Sequence, residues 1–186
     1  HVVNAAGCYA DRVARMVGLR VPMANALHAY VITEPVPEIT ALDRELPVMR
    51  DDYLSGYIRQ EQESGLIGIY EQVGAEAAWN DQPGWELENP LFPIDYDIIG
   101  DRLMRAFECM PCLEPRGIKQ TIRGAITHTP DGEAMLGMSG IPNFWMACGA
   151  QVGLADGPGL GRELARWMVH GETVLSVRGY DPRRFG

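Results

Sequence analysis

The sequence predicts an α+β (mixed α/β) chain, with an antiparallel sheet in the middle flanked by βα elements of a partial parallel layer. Three observations predict it. Each end reads as a strand, a small-residue turn and a helix, which is one βα step of a parallel sheet. The middle consists of short runs rich in aromatic and β-branched residues, separated by turn-prone stretches. At 186 residues and 46% apolar composition, the chain is long enough to bury a core.

Val2-Val3 leads into the corner Asn4-Ala5-Ala6-Gly7, and then Tyr9, Ala10, Val13, Ala14, Met16 and Val17 recur at helical spacing until Gly18, a helix-ending glycine. Residues 27–33, 53–59 and 66–70 read as strands, with Glu63-Ser64-Gly65 as a turn between two of them. Residues 74–93 carry Trp79, Trp85 and several acids without a clean period and read as a long connection. A helix over 98–107 follows from Ile99, Leu103 and Phe107, spaced four apart. Residues 118–127 alternate as a strand and end in Thr129-Pro130-Asp131-Gly132, a tight turn in which Asp131 is expected to bond its own backbone. After a further strand, the apolar run 143–148 is followed by a glycine-rich turn and then by a helix. Leu160, Leu164, Trp167 and Met168 mark one face of that helix, with Pro158 near its start and Gly171 beyond its end. Residues 1–24 and 126–175 are thus expected in one layer, 25–125 in another, and 176–186 as an exit segment.

A formal charge of -9, from 16 basic against 25 acidic residues, argues against nucleic acid as a partner. No run approaches the roughly 20 apolar residues of a membrane helix, so a soluble protein is expected, cytoplasmic or, in a eukaryote, in the mitochondrial matrix. Four cysteines are too few and scattered for a disulfide framework, and Cys109-Met-Pro-Cys112 reads as structural or incidental. The chain opens at His1 inside a strand-like run, and the expectation is a piece of something longer.

Glycines at 149, 153, 157, 159 and 161 would expose backbone N–H groups and leave a face on which a flat or anionic cofactor could lie. Close helix packing explains them equally well. Gly157-Pro158-Gly159-Leu160-Gly161 is not a GxGxxG fingerprint, because Arg162 follows and no acidic residue stands at the right distance.

Several segments together resemble a known family: Val2-Val3-Asn4-Ala5-Ala6-Gly7; His28-Ala29-Tyr30-Val31-Ile32-Thr33; Gly56-Tyr57-Ile58-Arg59-Gln60-Glu61 with Gly65-Leu66-Ile67-Gly68; the Thr129 to Gly132 turn; the closing glycine helix; and Trp167 to Glu172 with Asp181 to Gly186. In this order they resemble the dimethylglycine and sarcosine dehydrogenase branch of the D-amino-acid-oxidase-like flavoenzymes. The resemblance implies FAD between a dinucleotide layer and a substrate sheet, with Ala5, Ala6, Gly7, Gly149, Gly153, Leu154 and Gly157 on the cofactor side. It places the first βαβ unit, with GxGxxG and often a flavin-linked histidine, upstream of the strand matching residues 2–7. It places folate-linked domains downstream.

It also implies that the substrate is a small amine, that Tyr57 hydrogen-bonds it and that His28 modulates its protonation. By packing alone Tyr53 is an equally good tyrosine. The substrate carboxylate wants an arginine, for which Arg59 and Arg123 are candidates. Gly124 stands where some oxidase relatives join a cysteine to the flavin, so that link is not available here. The reading is a fragment of an enzyme oxidising an N-methylated amino acid, inactive in isolation, with its electron acceptor open. The alternatives are a same-fold flavoprotein using a primary amino acid or polyol phosphate, and a non-catalytic binding domain.

Overall fold

The computed structural model describes residues 1–70 and 76–185. They form two compact units, each assembled from discontinuous sequence. The first comprises His1–Ala26, Trp79–Leu87 and Ile126–Gly186; the second comprises Leu27–Ala78 and Glu88–Ala125.

In the first unit, β1 (Val2–Asn4) lies parallel to β8 (Phe144–Cys148), and β7 (Met135–Met138) pairs antiparallel on the other side of β8. Side chains alternate across a strand, so the central β8 feeds two cores. Phe144, Met146 and Cys148 pack with Ala10 and Ala14 of α1 (Ala10–Arg15), while Trp145 joins Leu136 and Leu164 of α4 (Gly153–His170). Gly137 makes room for Trp167 of α4, which packs against the same cluster. The φ of Gly137 is +134°, and a β-carbon there would stand 2.7 Å from the Trp167 ring.

The second unit is built on a five-stranded sheet of order β3-β4-β5-β2-β6: β2 is Ala24–Thr33, β3 Met49–Asp51, β4 Gly56–Glu61, β5 Ser64–Ile69 and β6 Ile118–His128. The short helix α2 (Pro37–Thr40) and the longer α3 (Tyr96–Cys109) complete it. One sheet face presents Ala29, Val31, Ile58, Ile67 and Ile69 to Ile99, Leu103 and Ala106 of α3. Those three helical residues fall on one stripe at i, i+4 and i+7. Each large apolar side chain so buried contributes about 1.5–3 kcal/mol. Asp95 starts α3 by accepting the Asp97 N–H at 3.0 Å.

The central sheet corrects two sequence expectations. The strand expected from 53 begins at Gly56, because Asp51 accepts the Leu54 N–H at 2.9 Å and Ser55 turns the chain with φ +52°. The hairpin turn is Gln62-Glu63, with Gln62 at φ +56°; Ser64 and Gly65 already lie in β5. Gly65 is a packing residue, since a β-carbon there would meet Leu113 Cδ2 at 2.6 Å.

The closing glycines also lie differently. Helix α4 starts at Gly153, so only residues 149–152 form the turn, and Pro158 is inside the helix. Pro158 cannot donate to the Leu154 carbonyl, but Leu154 is fully exposed and water can take that place. Leu160, Leu164 and Trp167 anchor the rest, and Gly171, at φ +79°, ends the helix by donating its N–H to the Trp167 carbonyl at 2.9 Å. Of the long connection, residues 74 and 75 lie outside the described residues, and Trp79–Leu87 goes with the terminal segments, not the central ones.

Candidate functional site

Cross-strand register decides which side chains of the second unit share a face. Arg50 pairs with Tyr57, Tyr57 with Gly68, and Gly68 with Tyr30. On this face the His28 ring lies 6.2 Å from that of Tyr57 and 5.5 Å from that of Tyr70, with Tyr57 and Tyr70 5.8 Å apart. The Arg50 guanidinium carbon stands 5.1 Å from the Tyr70 ring centre.

Two glycines let Tyr57 lie against the sheet. A β-carbon on Gly68 would be 2.0 Å from Tyr57 Cζ, and one on Gly56 would be 2.3 Å from the Gly68 carbonyl oxygen. Burial pushes the Tyr57 phenol above its ordinary pKa, reinforced by Tyr70, so at neutral pH it is an O–H donor.

Of the other sequence candidates, Arg59 shares the face of Tyr57, two residues along β4, and its charge acts on that phenol, but its side chain is committed elsewhere; Tyr53 and Arg123 bond outside the cluster. Tyr53 donates its O–H to Glu108 at 2.6 Å and stacks under Arg105. Arg59 is held by Glu61 at 2.6 Å and by the Gln60 carbonyl at 3.0 Å. Arg123, 5% exposed, meets Glu76 at 3.4 Å and the Pro93 carbonyl at 3.3 Å. It lines a separate cavity of about 530 Å³ with Leu27, Phe92 and Tyr96, which shares no lining residue with the His28 cluster.

In the first unit, the loops after β1 and β8 leave the carboxyl ends of two adjacent parallel strands, where ligands of α/β sheets bind. Asn4, 1% exposed, shapes the first loop by donating to the Ala10 carbonyl at 2.8 Å and accepting the Ala6 N–H at 3.3 Å. Gly7 follows at φ +55°. The second loop opens at Gly149, whose φ is +72° and whose β-carbon would meet Thr129 Cγ2 at 2.7 Å.

Along α4, a β-carbon on Gly157, Gly159 or Gly161 would meet nothing within 4 Å. Packing among the described residues therefore does not require these glycines. Gly157 and Gly161 fall four apart on one face and Gly159 on the opposite one; a bare face near a helix N-terminus suits a flat, anionic group such as a dinucleotide. Ala5, Ala6, Gly7, Gly149, Gly153, Leu154 and Gly157 stand on these two loops and the start of α4.

Several polar devices escape sequence reasoning because their partners are remote in the chain. Asp11, 2% exposed, accepts from the Val21 N–H at 2.7 Å, from Arg15 at 2.9 Å and from Gln82 at 2.9 Å. Beside it, Trp85 stacks on Tyr9 at 5.5 Å under the Arg12 guanidinium, which also donates to the Pro83 carbonyl. Asp131 does bond its own turn, accepting the Glu133 N–H at 3.1 Å. It also takes both arms of Arg184, at 2.7 and 2.9 Å, and this holds the carboxylate well below its ordinary pKa. Cys109 and Cys112 are free thiols pushed up by burial, the opposite of an activated pair.

The family described as DAO, FAD dependent oxidoreductase, matches residues 1–167. Mitochondrial dimethylglycine dehydrogenase of Mus musculus is 40% identical over 192 residues, covering 100% of this chain and 22% of the relative. Mitochondrial sarcosine dehydrogenase of Homo sapiens is 34% identical over 186 residues, covering 99% and 20%. Among solved structures, L-proline dehydrogenase from P. horikoshii superposes with a TM-score of 0.77 at 26% identity, covering 99% of this chain and 46% of that one. The chain thus spans about a fifth of the length of these curated relatives. Among the described residues no helix is long and apolar enough to cross a membrane.

Proposed function

The chain belongs to the family of FAD-dependent oxidoreductases, and from that premise we propose that it is part of an enzyme that oxidises an N-methylated amino acid, dimethylglycine or sarcosine or a close analogue. The observation that carries the reading is the cluster of His28, Tyr57 and Tyr70 on one sheet face, with Arg50 beside it. Oxidation at an N-methyl carbon sends a hydride away while the nitrogen lone pair forms a C=N bond, so the amine must react unprotonated. FAD supplies the hydride acceptor when bound. In this reading Tyr57, kept protonated by burial, donates a hydrogen bond to the substrate. His28, whose ring lies against those of both tyrosines, is the group beside the amine that sets its protonation.

Ala5, Ala6 and Gly7 after β1, with Gly149, Gly153, Leu154 and Gly157 after β8, are the residues that would hold the cofactor. Arg59 and Arg123, tied to Glu61 and Glu76, serve structure in this reading. Folate is assigned to no residue of this chain. A second reading, oxidation of an amino acid that carries no N-methyl group, is favoured by the likeness to L-proline dehydrogenase.

The two separate in one experiment. The full chain in which this sequence occurs is loaded with FAD and offered dimethylglycine, sarcosine, proline and glycine without oxygen. Bleaching of the flavin by the first two is expected. Bleaching by proline or glycine alone would move the assignment to the second reading.

A further inference from the structure

We propose that Arg50, and neither Arg59 nor Arg123, is the cation that grips the carboxylate of the substrate. The inference rests on the reading that the substrate is an amino acid bound at the His28 cluster.

Three observations select this residue. Register puts Arg50 directly across from Tyr57, so the two side chains leave the sheet on one face. Its guanidinium stacks on Tyr70, whose ring is the common neighbour of His28 and Tyr57. Arg50 is exposed and, among the described residues, has no carboxylate within ion-pair distance. By contrast, Arg59 is closed onto Glu61 at 2.6 Å, and Arg123 is buried against Glu76 in a cavity away from the cluster.

The stacking supplies the geometry that a carboxylate needs. A guanidinium lying over an aromatic ring keeps its five N–H donors in its own plane, directed past the ring edge, where two can meet both oxygens of a carboxylate. The ring also restricts the side chain before the ligand arrives, which lowers the ordering cost of binding. An amino acid held in this way has its carboxylate on Arg50 and its nitrogen toward His28 and Tyr57.

The test uses the full-length flavoprotein and two probes that differ only at the carboxylate, N,N-dimethylglycine and N,N-dimethylglycinamide. Binding is read by calorimetric titration and turnover by flavin bleaching. The expected wild-type result is a clear preference for the carboxylate. Arg50→Gln should remove that preference by weakening dimethylglycine roughly 30- to 100-fold and the amide little, as expected for loss of a charge-assisted pair of hydrogen bonds. Arg50→Lys should fall between, because a point charge remains without the fork. Arg59→Gln and Arg123→Gln should keep the wild-type preference.

A wild-type protein without the preference, or one whose preference survives Arg50→Gln, overturns the assignment. The oxidation reading fails separately. An Arg50-dependent preference in calorimetry with no flavin bleaching would leave Arg50 in place and remove the reaction.

Discussion

A β-carbon on Gly68 would fall 2.0 Å from Tyr57 Cζ, a separation at which either the ring or β5 must move. Gly68→Ala is therefore expected to destabilise the chain by about 1–3 kcal/mol through overpacking. If the clash is the whole cause, the loss should nearly vanish in a Tyr57→Leu background; a thermal-melt double-mutant cycle checks this, and additive losses would mean that Gly68 serves something else.

Asp131 offers a pH signature. Its folded pKa lies below the unfolded value of about 3.9, so its contribution is complete above about pH 4 and is lost as pH falls toward the folded value. Melting curves from pH 7 to 2 should show Asp131→Asn less stable than wild type down to about pH 4, and the gap closing below it. A gap that widened in acid would contradict the pairing with Arg184.

At this scale the sequence spoke for Asp131 and its own turn, because that bond is local, and was silent on Arg184, which is 53 positions away. His28 and Tyr57 were named by family resemblance. Arg50, Tyr70 and Gly68 were not visible, because facing positions depend on a register that no single strand encodes.

Among the elements, α4 separates fold from function most cleanly. At Gly157 a β-carbon meets nothing within 4 Å, and alanine is the better helix former by about 0.5–1 kcal/mol. Gly157→Ala should thus raise the melting temperature of the full chain while weakening FAD in a fluorescence titration. Unchanged FAD affinity would show that the glycine stripe does not face the cofactor. The helices α1 and α3 were legible because their apolar residues recur at helical spacing. The start of α4 was not, because glycine and proline read as punctuation, whereas the apolar face of its second half holds the first half in line. The short α2 and β3, of four and three residues, offer no period to read.

For the whole molecule, the chain passes between its two cores after Ala26, Ala78, Leu87 and Ala125. The fold class showed in the contrast between glycine-punctuated ends and an aromatic, β-branched middle. The position of 79–87 did not, since that stretch lacks a period and its partners Tyr9, Asp11 and Arg12 stand 71 to 75 positions away. Residues 27–125 made alone contain the whole core around Ile67 and Ile99. Hydrogen exchange on that piece should find the amides of Ile67 and Ile69 protected and those of residues 79–87 unprotected. Protection of 79–87 would mean that the segment is held by the second unit.

Those four passages bear on how such a chain can change over generations. Recombination moves unbroken stretches of coding sequence, and the stretch 27–125 that carries the whole second core also carries 79–87, which belongs to the first unit. A crossover that moved 27–125 as a block would carry 79–87 away with it, and the first unit would lose that segment's bonds to Tyr9, Asp11 and Arg12. Added length within the units is tolerated at exposed turns such as Gln62-Glu63, where no core strand is interrupted.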